Sequence, residues 1–396
     1  MNTRELFYQH IAQTSPAPIG INISHGKGVY LYDDNHKAYI DFIAGISVSS
    51  LGHCHPVVRK AIAKQAKKYL HVMVYGEYIQ SPQVELATYL AKYLPPNLSS
   101  VYFVNSGSEA NEGAMKLAKR YTGRTEIISC HNAYHGSTHG ALSIMGGEYF
   151  KQAYRPLLPD IKHIRFNKEE DLEKITTKTA AIFIETIQGE AGAVVPTHDY
   201  LRKVRERCTQ VGALMVSDEI QTGIGRTGTR WAFEQYGIVP DILCTAKAFG
   251  AGLPLGAFIS SKEIMDTLMD NPVLGHITTF GGNAVCCAAS LAQLKYLEEE
   301  NIYDTIFDKE KLIRKYLKHP SIKEIRGRGL LLAIELQSTA QNMQVIRLCL
   351  AKGLLTDWFL FCDNALRVAP PLIITKKEIK KACAIIIEAI QESIKT

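Results

Sequence analysis

The sequence has no run approaching the roughly 18 consecutive apolar residues that a membrane-spanning helix needs. Its first twenty residues, MNTRELFYQHIAQTSPAPIG, mix polar and apolar side chains and lack the apolar core of a signal peptide. The expectation is a soluble, cytoplasmic protein with no membrane partner. No C-x-x-C occurs among the nine cysteines, and the adjacent pair Cys286-Cys287 argues against a disulfide framework or a zinc knuckle. Free thiols in a reducing compartment are the simpler account. Repeats, low-complexity linkers and long blocks of like charge are also missing. The 45 basic and 39 acidic residues leave a net charge of +6 spread along the chain. Clusters such as Lys376-Lys377 with Lys380-Lys381 read as solvated helix faces, so no nucleic-acid partner is expected. No metal is expected either: His53 and His55 in Gly52-His53-Cys54-His55-Pro56 have no visible third ligand.

What is present is a globular composition, 46% hydrophobic over 396 residues, enough for two or three domains around a large core. Val29-Tyr30-Leu31-Tyr32 and Tyr39-Ile40-Asp41-Phe42 flank the turn residues Asp33-Asp34-Asn35 and predict a hairpin. Pro56 to Leu70 has helical spacing. Val101–Val104, Glu126–Ser129, Ala180–Ile184, Ala213–Val216 and Ile242–Cys244 are short apolar runs that read as buried strands. Helices are expected from Ser108 to Tyr121, near 168–177 and at 199–211. That alternation predicts an α/β fold with a mostly parallel sheet covered on both faces, its chemistry gathered beyond the C-terminal strand ends. Helical patterns at 282–299, 302–317, 342–351 and 376–394, with a strand at Leu366-Arg367-Val368, read as a smaller split α/β domain. The expected division is an N-terminal segment 1–45 joining the small domain, a large domain 46–285 and a C-terminal small domain 286–396.

Gly223-Ile224-Gly225-Arg226-Thr227-Gly228 matches G-x-G-x-x-G, but the chain around it does not fit a dinucleotide site. Asp218 to Thr222 intervene after the strand, no apolar helix opens from the turn, and no acid follows at the required spacing. Asn105-Ser106-Gly107-Ser108-Glu109-Ala110-Asn111 lies between a buried strand and a helix, where small residues and a helix N-terminus can cradle a phosphate. The competing reading is that Ser108 merely caps the helix. Asp218 ends an apolar strand. Lys247 follows another, amid small and apolar residues whose burial would favour the neutral, nucleophilic amine. An anion cradle, a strand-end aspartate and a desolvated lysine are together what pyridoxal 5'-phosphate requires: a phosphate anchor, a partner for the pyridine nitrogen and a Schiff-base lysine.

In order along the chain stand Asn-Ser-Gly-Ser-Glu-Ala-Asn, Ser-Asp-Glu-Ile-Gln-Thr-Gly-Ile-Gly-Arg-Thr-Gly, Thr-Ala-Lys-Ala-Phe-Gly-Ala-Gly-Leu-Pro-Leu-Gly-Ala and Thr-Thr-Phe-Gly-Gly-Asn. They resemble the class-III (ω-amino-acid) pyridoxal-phosphate aminotransferases, the group of acetylornithine, ornithine and 4-aminobutyrate aminotransferases. The likeness runs from Gly26-Lys27-Gly28 to Arg367-Val368-Ala369-Pro370-Pro371. It implies a fold-type-I transferase in which Lys247 carries the cofactor and moves the proton, and Asp218 pairs with the pyridinium nitrogen. It further implies that Gln221 meets the phenolic oxygen, Gly107 and Ser108 hold the phosphate, and Tyr134 stacks on the ring. Thr279 would reach the phosphate of the neighbouring subunit, so a homodimer with shared sites is implied; Thr278 beside it is counted with the substrate residues. Glu190 and Arg367 match a switch pair: the glutamate masks the arginine for an ω-amine donor and releases it for an α-carboxylate. A fixed structural ion pair is the alternative.

The sequence departs from the relatives at Ser137, where acetylornithine, ornithine and 4-aminobutyrate enzymes have an arginine for a second carboxylate. Ser15-Pro16-Ala17-Pro18 also lacks the tyrosine with which ornithine enzymes hold an α-amino group. Ile46, where ornithine enzymes are aromatic, is shared with acetylornithine and 4-aminobutyrate enzymes. The reaction implied is a ping-pong transfer of an amino group, terminal in the donor, to a 2-oxo acid such as 2-oxoglutarate. A racemase, mutase or decarboxylase of the same superfamily, needing no acceptor, is the alternative.

Overall fold

Continuous apolar runs such as Ala180-Ala181-Ile182-Phe183-Ile184 can hide both faces only inside a layered fold. The computed structural model describes the chain except Met1, Val74, Tyr75, His198 and Thr396. In it, seven strands form one sheet in the order Ser100–Val104, Gly256–Ser260, Ile242–Thr245, Leu214–Asp218, Thr179–Glu185, Glu126–Cys130 and Ile161–Ile164. All are parallel except Gly256–Ser260, which runs antiparallel to both of its neighbours. The central strands are buried along their whole length. The helices Gly107–Thr122 and Tyr200–Val211 pack on this sheet.

Two four-stranded sheets complete the chain. One joins the N-terminal strands Ile23–Lys27, Tyr30–Asp33 and Ala38–Asp41 to the distant Leu354–Leu355, Ile40 pairing in parallel with Leu354. The other orders Glu324–Arg328, Leu331–Glu335, Cys362–Val368 and Trp358–Phe359. The helix Thr339–Ala351 packs on it, and the helix Lys376–Ser393 packs on that helix. The helix Ala284–Glu299 packs on Pro56–Ala66 and Ser81–Tyr93.

Several elements differ from the sequence reading. The helix expected to Leu70 stops at Ala66, and the Gln65 side chain donates to the Tyr69 carbonyl beyond its end. The helix near 168–177 is a short 3-10 segment, Glu169–Lys174, and that of 302–317 opens with a 3-10 turn before Ile306–Tyr316. The strand Gly256–Ser260 and the helix Ser81–Tyr93 have no counterpart in that reading. The residues of the G-x-G-x-x-G match form turns followed by the 3-10 segment Ala232–Tyr236, not a strand-to-helix opening.

Candidate active site

Five parallel strands end at the same sheet edge, and each continues into a segment that carries chemistry. After Ser100–Val104 the chain turns through Asn105 into the helix Gly107–Thr122. Ser106 caps that helix, its side chain accepting from Glu109 N–H, and Ala110 N–H to Ser106 C=O is the first intrahelical bond. Ser108 is therefore not the cap. The N–H groups of Gly107 and Ser108 stand before the first helical bond, where the helix itself offers no acceptor.

The strands Leu214–Asp218 and Thr179–Glu185 set Asp218 opposite Glu185 in register. Asp218 Oδ2 meets His135 Nδ1 at 2.7 Å and accepts from Asn111 Nδ2 at 2.9 Å; Oδ1 accepts from Ile220 N–H at 3.0 Å. Asn111 also donates to the His135 carbonyl, tying the helix to the loop after Glu126–Cys130. Burial opposes charging His135, but the bond to Asp218 and that carboxylate's charge outweigh it and raise the imidazole pKa. Glu185 accepts from Tyr134 N–H and Gly189 N–H. Burial, opposed by His135 and aided by Asp218, pushes its carboxyl up to about 7.

Lys247 follows Ile242–Thr245 and takes a left-handed backbone, φ 47°, a conformation that costs a side-chain-bearing residue energy and is met where function fixes the geometry. The part of Lys247 that is not buried faces two adjoining cavities. Burial lowers its pKa, Glu190 opposing and Arg367 assisting.

The first cavity, about 410 Å³, is lined by Gly107, Ser108, Tyr134, Asp218, Gln221 and Lys247 among others. The second, also about 410 Å³, shares Tyr134 and Lys247 with it and adds Ile46, Glu190, Asp357, Trp358, Leu360 and Arg367. Between Glu190 and Arg367 runs a bidentate pair, Nη1 to Oε1 at 2.7 Å and Nη2 to Oε2 at 2.9 Å. Burial works against charge on Glu190, but Arg367 overcomes it and holds the carboxyl below its ordinary range.

Seven of the expected residues thus surround one lysine. Thr279, Thr278 and Ser137 line neither cavity. Thr279 is exposed, while the hydroxyl of Thr278 accepts from Asn105 Nδ2 at 3.3 Å. Ser137 is exposed, its hydroxyl 3.1 Å from that of Tyr134. Four polar residues of the site have no role in the sequence reading: Asn111, His135, Glu185 and Asp357. Asn111 ends the Asn105–Asn111 motif, one helical turn after Gly107, His135 directly follows Tyr134, and Glu185 follows the apolar run Ala180–Ile184. Asp357 gives no local signal.

The first cavity fits pyridoxal phosphate. Its helix N-terminus suits a dianionic phosphate, and the loop that faces it has room only for glycine: a Cβ on Gly136 would stand 2.2 Å from Ser108 Oγ. Asp218 offers a fixed carboxylate, and Lys247 an amine lining the same cavity.

Comparison with known proteins gives one family. A model described as class-III aminotransferase matches residues 11–390. Acetylornithine aminotransferase from Methanocaldococcus jannaschii is 42% identical over 366 residues, 89% of each chain. The acetylornithine aminotransferase of Methanopyrus kandleri is 37% identical over 99% of this chain and 100% of its own. Among solved structures, ornithine aminotransferase from Toxoplasma gondii, whose active site held PLP at partial occupancy, superposes with a TM-score of 0.92 at 32% identity, covering 99% of this chain and 94% of that one.

Proposed function

This chain belongs to the class-III aminotransferases, pyridoxal-phosphate-dependent enzymes, and we propose that it moves a terminal amino group from a donor of the acetylornithine or ω-amino-acid kind to 2-oxoglutarate. The observation that carries this reading is the shared position of Lys247, which lines both the cavity fitted to the cofactor and the cavity lined by the Glu190–Arg367 pair. When bound, the cofactor supplies an aldehyde carbon that holds nitrogen and a ring that withdraws electrons.

In this reading each residue has a task. Lys247, its pKa lowered by burial, offers an amine and moves a proton at Nζ. Asp218 keeps a proton on the ring nitrogen, and His135 and Asn111 hold its carboxylate still. Gly107 and Ser108 receive the phosphate on free N–H groups. Tyr134, fixed through its N–H to Glu185, covers the ring face and excludes water. Gln221 meets the phenolic oxygen. Glu190 masks Arg367 while an ω-amine is bound, then gives way so that the guanidinium takes an α-carboxylate.

The reading extends to the assembly. Thr279 serves a neighbouring subunit's phosphate in a homodimer, with Thr278 anchoring its loop. Supporting this, Ile277 and Phe280 on either side are exposed, as are Leu70, Val72, Met269, Val273 and Leu274. Exposed apolar surface on this scale suits an interface. The parallel pairing of Ile40 with Leu354 supports grouping 1–45 with 286–396 around a large part, 46–285, with the helix Ala284–Glu299 as the joint. Cytoplasmic placement is supported by nine unpaired cysteines.

A panel of amines and amino acids with 2-oxoglutarate, following glutamate, tests the reaction; turnover independent of an added 2-oxo acid would reject it. Lys247→Ala should abolish turnover, and borohydride should fix the cofactor on Lys247 of the wild type. A label found on another lysine by mass spectrometry would overturn the assignment.

A further inference from the structure

The guanidinium of Arg367 is engaged on two chemically different sides. One is the fork edge, bonded to both Glu190 oxygens. The other belongs to the segment just before its own strand. Arg367 Nε donates to Asp357 Oδ1 at 2.8 Å, Nη2 donates also to the Trp358 carbonyl at 2.9 Å, and the Phe359 ring lies 4.4 Å from the guanidinium carbon. Only the fork edge is a bidentate seat that a substrate carboxylate can take over. The second side travels with Arg367: Trp358 pairs with Leu366, Arg367 N–H donates to the Asp357 carbonyl, and Thr356 Oγ1 donates to the Arg367 carbonyl.

Resting on the exchange of Glu190 for a substrate carboxylate set out above, we propose that Asp357 is a positioning residue, the standing partner that holds Arg367 while the exchange takes place. Asp357 lines the substrate cavity beside Glu190 and Lys247. Burial, opposed by Arg367 and aided by Glu190, pushes its carboxyl up to about 6. Two carboxylates share one cation, so each weakens the other's hold. As Glu190 withdraws, Asp357 therefore tightens on Nε. An arriving carboxylate then restores the former charge balance, so Asp357 does not favour one occupant of the fork by charge. It fixes where the fork points. Without it, one carbonyl and one ring are left to hold a flexible arginine as its main partner leaves.

The test uses the holoenzyme, with glutarate as an unreactive probe whose Kd is read by calorimetry, and single-turnover rates for the amine and 2-oxoglutarate half-reactions. Asp357→Leu should weaken glutarate about tenfold or more, since misplacement by an ångström can cost on the order of 100-fold. It should raise the KM for 2-oxoglutarate more than it lowers kcat, and so change the ratio of the two half-reactions. Asp357→Asn, which keeps an oxygen for Nε, should restore most of the affinity. Asp357→Ser runs in parallel in case the leucine variant does not fold, with the same loss expected. Glutarate binding within twofold of wild type in the folded leucine or serine variant overturns the proposal. So does an equal loss in both half-reactions, which a merely structural residue would give. Arg367→Leu separates the two levels: if it leaves glutarate affinity unchanged, the exchange itself is wrong; if it abolishes binding while the Asp357 variants bind normally, only the role of Asp357 falls.

Discussion

Glu185 and Asp218 face each other across neighbouring strands, yet they meet different surroundings. Asp218 has His135 and Asn111, whereas Glu185 has two backbone N–H groups and deep burial. Its carboxyl titrates near 7 in the fold against an ordinary 4.5. The native state therefore binds more protons than the unfolded state between those pH values, and stability falls as pH rises through that window. Across it, Glu185→Gln should remove a decline of about 3 kcal/mol from the cofactor-free protein, at 1.36 kcal/mol per pKa unit. Urea unfolding at pH 4.5 and 7.5 checks this; equal pH dependence in variant and wild type would mean that Glu185 is ionised in the fold. Ser137 has the opposite character, exposed and bonded to the Tyr134 hydroxyl. With no guanidinium there, Ser137→Arg should raise kcat/KM for 2-oxoglutarate relative to pyruvate by roughly 10-fold or more, the worth of a charged hydrogen bond. The comparison needs one fixed donor and saturating cofactor, and a lowered preference would place the second carboxylate elsewhere.

At the scale of elements, the helix Gly107–Thr122 and the loop 131–138 meet where the phosphate is proposed to sit. Gly136 has φ 130°, and a Cβ there would crowd Ser108 Oγ at 2.2 Å and Ser108 Cα at 3.0 Å. Gly136→Ala should push the loop off the helix start. Cofactor affinity should fall at least about tenfold, with a stability loss of about 1–3 kcal/mol from backbone strain. Titration of the apoprotein with pyridoxal phosphate, followed by absorbance, reads the first effect; normal affinity would detach this contact from the phosphate site. The helix was legible in Asn105–Asn111, but its cap was not, because Ser106 and Ser108 both stand at plausible capping positions. Only the bond to Glu109 N–H chooses Ser106. The strand Gly256–Ser260 was missed for a related reason. A short run after Leu253-Pro254-Leu255 gives no period, and its place depends on pairing with Ser100–Val104 and Ile242–Thr245.

For the whole molecule, the exposed apolar side chains around Thr279 lead to an assembly prediction. Phe280→Asp should shift the protein toward monomer, because a charge in a desolvated interface is costly. It should also lower cofactor affinity, since Thr279 of one subunit is proposed to serve the other's phosphate. Sedimentation at several concentrations, paired with cofactor titration, checks both. A dimer as stable as wild type would move the interface elsewhere.

The sequence by itself determined the parallel sheet, through apolar runs too long to leave either face in water. It also brought the proposed cofactor residues to one cavity, because the segment Asn105–Ser108, Asp218 and Lys247 each sit at the end of such a run, and parallel strands bring their ends to one edge. What only the tertiary structure decided lies between distant segments. Arg367 comes from the C-terminal four-stranded sheet, Asp357 from the link that leads into its strand Trp358–Phe359, Glu190 from a loop after Thr179–Glu185, and their meeting depends on how that sheet packs against the large one. Local periodicity encodes which face of a strand is buried. It does not encode which charges two separately folded layers will press together, and there a single guanidinium ends up shared by two carboxylates.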